Sequence, residues 1–154
     1  FLAAVSVFGQ FQLKQQADQR IRETGGKGRW SDGIYVLSER VEKEGWNQVV
    51  SLRWGLIQPL FLLTEGKIPL KTPHWRARTN VGRWKEAVSR FIRESPRRTL
   101  FILNPEHSWR EEIARRTFFE VAHEMEKKPR LEYLVYDREE DPLYATYTIH
   151  DEKP

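Results

Sequence analysis

No cysteine occurs in the chain, which removes disulfides, thiolate zinc sites and thiol catalysis together. The absence leaves the compartment open, because a cysteine-free domain suits a periplasm-like space and a cytosol equally. There is no G-x-S-x-G nucleophile elbow and no Gly-rich loop ending in Gly-Lys-Ser or Gly-Lys-Thr. The histidines are His74, His107, His123 and His150. No two of them stand three or four residues apart, and none belongs to a recognised ligand motif. No metal and no cofactor is therefore expected in this chain.

Long hydrophobic runs are also missing. A membrane-spanning helix needs about 20 apolar residues, and the opening stretch Phe1-Leu-Ala-Ala-Val-Ser-Val-Phe8 offers eight. It has no basic segment in front of it, so it does not read as a secretory signal. Two readings stay open: the trailing turns of a transmembrane helix, or an ordinary buried helix.

What is present fits one domain. The length is 154 residues and 12% of them are aromatic, too many for a disordered chain. The net charge of +4 permits nucleic acid, anionic lipid or phosphate as partner and selects none of them.

Residues 1–23 read as one helix, apolar early and polar late, stopped by Thr24-Gly-Gly-Lys-Gly28. Ser31 can cap a helix over 32–44, with Ile34, Leu37, Ser38 and Val41 on one face and Gly45 as its stop. Val49–Leu52 reads as a short buried strand. Residues 56–63 read as a helix, with Pro59 tolerated in the first turn. Asn80 is a good N-cap for a helix carrying Val81, Trp84, Val88, Phe91 and Ile92 at helical spacing, ended by Ser95-Pro96. Thr99-Leu-Phe-Ile-Leu103 has the continuous apolar character of a central parallel strand. Ser108-Trp-Arg-Glu111 is a capping box for a helix lined by Ala114, Phe118, Val121, Ala122 and Met125, with His123 partly buried and Pro129 closing the segment. Two alternating runs follow. Leu131, Tyr133 and Val135 share one face, and Leu143, Ala145, Tyr147 and Ile149 share another, with turn residues 137–142 between. The order predicts an α/β fold: a two-layer or three-layer sheet with parallel central strands and a C-terminal antiparallel hairpin.

Gly25-Gly-Lys-Gly28 resembles a phosphate loop in composition only, since no strand precedes it. Glu106, Glu111 and Glu112 could do acid/base work, but capping and the helix dipole account for the last two. The stretch from Lys67 to Lys85 contains no acidic residue and holds Lys71, His74, Arg76, Arg78 and Arg83, with Trp75 and Trp84 interleaved. Arg forks suit phosphate, and Trp faces suit sugar rings or bases. Lys71, His74, Trp75, Arg76 and Arg78 are accordingly candidates for binding an anion or a lipid phosphate. The alternative is a solvated basic loop with Trp84 in the core. Topology gives a second place. Ligands of open α/β sheets bind beyond the carboxyl ends of the strands, which here points to Trp54, Gly55, Asn104, His107 and Trp109.

Five segments carry a resemblance. Thr24-Gly-Gly-Lys-Gly-Arg-Trp-Ser-Asp-Gly-Ile-Tyr-Val-Leu37 resembles the stretch after the last membrane helix of dolichyl-phosphate-mannose-type glycosyltransferases, the protein mannosyltransferase-like integral-membrane enzymes. Val49-Val-Ser-Leu-Arg-Trp-Gly-Leu56 resembles the strand and Asp-Trp-Gly turn of their soluble domain, and Leu60-Phe-Leu-Leu-Thr-Glu-Gly-Lys67 the segment after it. Thr99-Leu-Phe-Ile-Leu-Asn-Pro-Glu106 and Tyr136-Asp-Arg-Glu-Glu-Asp-Pro-Leu-Tyr144 are similar to a later strand and the closing hairpin. The resemblance implies that residues 1–23 end a transmembrane helix and that 24–154 form a soluble extracytoplasmic domain, periplasmic or on the cell exterior. Its partners would be the membrane surface, the protein's own transmembrane part, and a polyprenyl-phosphate sugar or its acceptor. Two departures stand out. Arg53 replaces the family's Asp, and the hairpin Gly is lost within Glu139-Glu140-Asp141. The family's catalytic acids lie between membrane helices upstream, so no catalytic residue is carried over. The rival reading is a basic nucleic-acid-binding α/β module, against which stand Glu39, Glu42, Glu44 and the acidic cluster at 137–141.

Overall fold

A computed structural model describes residues 31–74, 80–105 and 109–151 (109–111 by backbone), together with Gln16, Gln19, Glu23 and Gly25. The elements are α1 (Gly33–Glu44), β1 (Gln48–Ser51), α2 (Ile57–Leu63), β2 (Leu70–Lys71), α3 (Val81–Glu94), β3 (Thr99–Leu103), α4 (Trp109–Glu124), β4 (Lys127–Tyr136) and β5 (Pro142–Asp151). The five strands form one mixed sheet in the order β2-β1-β3-β5-β4. β1 runs parallel to β2 and to β3, while β5 is antiparallel to both β3 and β4. The fold is α/β as the sequence predicts.

Every residue of β1 and β3 is buried, which explains the apolar runs Val49-Val50 and Leu100–Leu103 inside them: strands covered on both faces have no polar side. Alternate residues feed two cores. Val49, Leu100 and Ile102 pack with Leu37 and Val41 of α1 and Leu60 of α2. Val50, Phe101 and Leu103 pack with Trp84 and Val88 of α3 and Phe118 and Val121 of α4. The architecture therefore has three layers, helix–sheet–helix. In the second core Phe101 and Phe118 lie 5.3 Å apart between ring centroids, and Phe119 meets Tyr147 edge-on at 5.3 Å. Such pairs contribute roughly 0.5–1.5 kcal/mol beyond their buried area.

The caps follow sequence chemistry. The Asn80 side chain accepts from the Arg83 N–H at 3.0 Å. At α1 the Ser31 hydroxyl accepts from the Gly33 N–H at 3.2 Å, whereas the N-cap residue Asp32 makes no side-chain cap. Glycine is required at 33 by space: a methyl there would lie 2.5 Å from Leu143 Cδ1 and 3.2 Å from the Tyr136 carbonyl.

Several expectations are corrected. His123 is exposed, not partly buried. Pro129 does not close a segment. α4 ends at Glu124, the chain turns through Glu126 at φ 54°, and Pro129 sits inside β4 opposite Ile149. β4 is an edge strand, where proline's missing N–H is tolerated. Leu131 does not share a face with Tyr133 and Val135. Leu131 pairs with Tyr147 and Tyr133 with Thr146, so Glu132 is an extra residue and the strand reverses its faces there. A second irregularity pairs Val135 with Tyr144 and Tyr136 with Pro142. It takes Leu143 into the core of α1 and α2, away from Tyr147 and Ile149, which pack against α3 and α4. The helix expected over 1–23 lies largely outside the described residues. Gln16, Gln19 and Glu23 are helical, with the Gln19 amide donating to Glu23 at 2.8 Å.

Candidate functional site

The carboxyl ends of β1, β2 and β3 share one edge of the sheet, because the three strands are parallel. Helices α2, α3 and α4 each begin after one of these strands, so their N-termini gather at the same edge. The β4–β5 turn comes there too, since β5 starts beside the end of β3.

The turn after β1 is held by its own residues. The buried Ser51 hydroxyl donates to the Arg53 carbonyl at 2.9 Å and accepts from the Arg53 N–H at 3.2 Å. Gly55 has φ 80°, a left-handed conformation that a side chain would strain. Between them Trp54 stands 65% exposed. The segment after β2 closes on this turn: the Thr72 hydroxyl donates to the Ser51 carbonyl at 2.8 Å. A cleft of about 340 Å³ results, lined by Arg53, Trp54, Gly55, Ile57, Gln58, Thr72 and Pro73. That is the lower end of the size range of small-molecule sites, roughly 300–1,000 Å³.

Arg53, where the resembled family has Asp, works partly as a strut. Its Nη1 donates to the Leu143 carbonyl at 3.2 Å, and its guanidinium lies 4.7 Å from the Tyr144 ring centroid. Burial pushes the Tyr144 phenol above its ordinary pKa, against the opposite pull of Arg53. Nearby, Arg138 of the hairpin turn pairs with Asp32 at 2.7 Å and donates to the Glu23 carbonyl at 3.0 Å. The residues before α1 are thereby tied to the same edge.

Of the residues expected at the strand ends, Trp54 and Gly55 line the cleft. Asn104 directly follows β3 at the same edge but is buried and is not among the residues lining the cleft. His107 lies outside the described residues, and Trp109 opens α4 with its side chain outside them. In the basic segment, Lys71 and His74 are exposed and flank Thr72 and Pro73, while Trp75, Arg76 and Arg78 lie outside the described residues. Trp84 is in the core, 2% exposed. Lys67 pairs with Glu65 at 3.0 Å and Glu42 at 3.5 Å, and Lys85 pairs with Glu124 at 2.5 Å. Hydrogen bonding to Glu65, with the charges of Glu65 and Glu42, raises the Lys67 pKa. The two ends of the acid-free stretch thus find acids elsewhere in the fold. Ile57, Gln58, Thr72 and Pro73 also line the cleft, and the sequence reading does not name them as site residues. Thr72 and Pro73 become neighbours of Trp54 because β2 pairs with β1.

Among the described residues no group of three or more His, Asp or Glu side chains is placed to hold a metal ion, and no helix is long and apolar enough to cross a membrane. No family model matches the chain, and no curated protein or solved structure matches it either.

Proposed function

We propose that this chain is the extracytoplasmic accessory domain of an integral-membrane glycosyltransferase that takes its sugar from a polyprenyl-phosphate carrier. In this reading the domain caps the active site or helps to bind the acceptor, and the catalytic acids lie elsewhere in the parent protein. The observation that carries it is the meeting, at one sheet edge, of a small cleft beside an exposed Trp54 with the exposed Lys71 and His74. The resemblance of five segments, in order and across most of the chain, supplies the class of enzyme.

The basic segment would face lipid head groups, where each Lys or Arg contributes about 1 kcal/mol near an anionic surface. Sedimentation with anionic vesicles tests this. The chain should bind them more tightly than neutral vesicles, and the double change Arg76→Glu with Arg78→Glu should weaken binding at least roughly tenfold. Equal binding to both vesicle types, or an unchanged affinity in the double variant, would overturn the membrane-facing reading.

A further inference from the structure

We propose that the cleft between the β1–α2 turn and the segment after β2 is a pyranose subsite, with the Trp54 indole as its stacking platform. The inference rests on the accessory-domain reading and goes further, by naming the chemical group and the side chains that hold it.

Three features select a neutral sugar over an anion or a purely apolar group. The indole is 65% exposed beside the cleft. One face of a pyranose carries C–H groups of partial positive charge, which meet the negative face of an aromatic ring. The opposite requirement is partners for ring hydroxyls, and two residues with polar side chains, Gln58 and Thr72, line the cleft. An amide offers both donor and acceptor, and a hydroxyl spends one proton but keeps acceptor capacity. Thr72 spends its proton on the Ser51 carbonyl, so toward a ligand it accepts. Among the described residues that line the cleft, Arg53 is the one cation. It gives one N–H to Leu143 and lays its guanidinium over Tyr144, which favours a structural role over capture of a phosphate. The platform is also pre-formed. The two Ser51 hydrogen bonds and the left-handed Gly55 fix the turn, so little ordering cost falls on binding.

The test uses the whole 154-residue chain, labelled with nitrogen-15, and follows its six tryptophan indole signals. Trp54 is assigned by loss of its signal in Trp54→Phe. Methyl α-mannopyranoside, methyl β-glucopyranoside and inorganic phosphate are titrated separately. At least one glycoside should give a saturable shift at Trp54 and at the amides of 53–58 and 72–73, and phosphate should not. Trp54→Ala should lower the affinity about tenfold, the scale of losing a stacked ring face. Trp54→Phe should retain part of it, and Gln58→Ala should weaken it severalfold with an unchanged circular dichroism spectrum. Absence of a saturable shift with both glycosides, or an equal shift with phosphate, overturns the subsite. Vesicle binding separates the two readings. If it persists when the glycosides fail, the subsite alone falls. If the glycosides bind and the vesicles do not, the membrane-facing reading falls and the subsite stands.

Discussion

At Gly33 a single hydrogen in place of a methyl decides how closely α1 can approach the hairpin. A helical glycine facing water is normally a weakness, and replacing it with alanine stabilises by roughly 0.5–1 kcal/mol. Here the added carbon would lie 2.5 Å from the buried Leu143 side chain and 3.2 Å from the Tyr136 carbonyl, so Leu143 would have to shift within the core. Gly33→Ala is expected to cost about 1–3 kcal/mol, the scale of overpacking, read from the midpoint of a urea transition. A gain in stability would show that α1 and the hairpin can move apart. Ser31 acts on the same junction by another route. Its hydroxyl was legible as a cap, but the space needed at Gly33 was not, because the residues that fill it lie 100 positions away in sequence.

The β4–β5 hairpin is the element in which sequence and structure part company. Alternation across Leu131, Tyr133 and Val135 reads as one apolar face only if pairing is uninterrupted, and a one-residue insertion reverses every side chain beyond it. Nothing in the side chains marks Glu132 as the inserted residue. Its environment does: the carboxylate accepts from Thr148 Oγ1 at 2.5 Å and from Arg130 at 2.8 Å. Burial would raise the Glu132 pKa, yet these two partners outweigh it and hold the carboxyl below its ordinary 4.5. A depressed carboxylate stabilises the fold above the unfolded value and loses that contribution as pH falls through the folded one. Thermal melts of wild type and Glu132→Gln should therefore differ at neutral pH and converge as the pH drops below 4.5. A gap that stays constant into acid would assign Glu132 to neutral hydrogen bonding alone. The same bulge, with Pro129 and the charges of Lys127, Lys128 and Arg130, makes β4 a poor template for another strand. By contrast β1, β3, α3 and α4 were legible. Two-sided burial and 3.6-residue spacing both survive without knowledge of the partner.

At the scale of the molecule, the legible part of the site was the part that topology dictates. Trp54 and Gly55 follow a parallel strand, and the carboxyl edge of such a sheet is where ligands bind. Thr72 was not foreseeable, because β2 has two residues, too few to show a period. The strand order also sets how the whole holds together. β5 lies between β3 and β4, and it brings Leu143, Tyr144, Tyr147 and Ile149 to the two cores. A chain ending at residue 141 would strip β3 of a partner and open both cores at once. It is expected to lose its cooperative urea transition and its near-ultraviolet circular dichroism, and a sharp transition in that fragment would show that the remaining sheet is self-sufficient.

The internal place of β5 has a consequence for how the protein is made. The ribosome delivers the chain from its N-terminal side onward at roughly 5–20 residues per second, so the strand that completes the middle of the sheet is the last of the five to emerge. Until it does, β3 waits roughly 2–10 s and β4 roughly 1–3 s without that neighbour. The middle of the sheet is therefore closed only after its other four strands have been made.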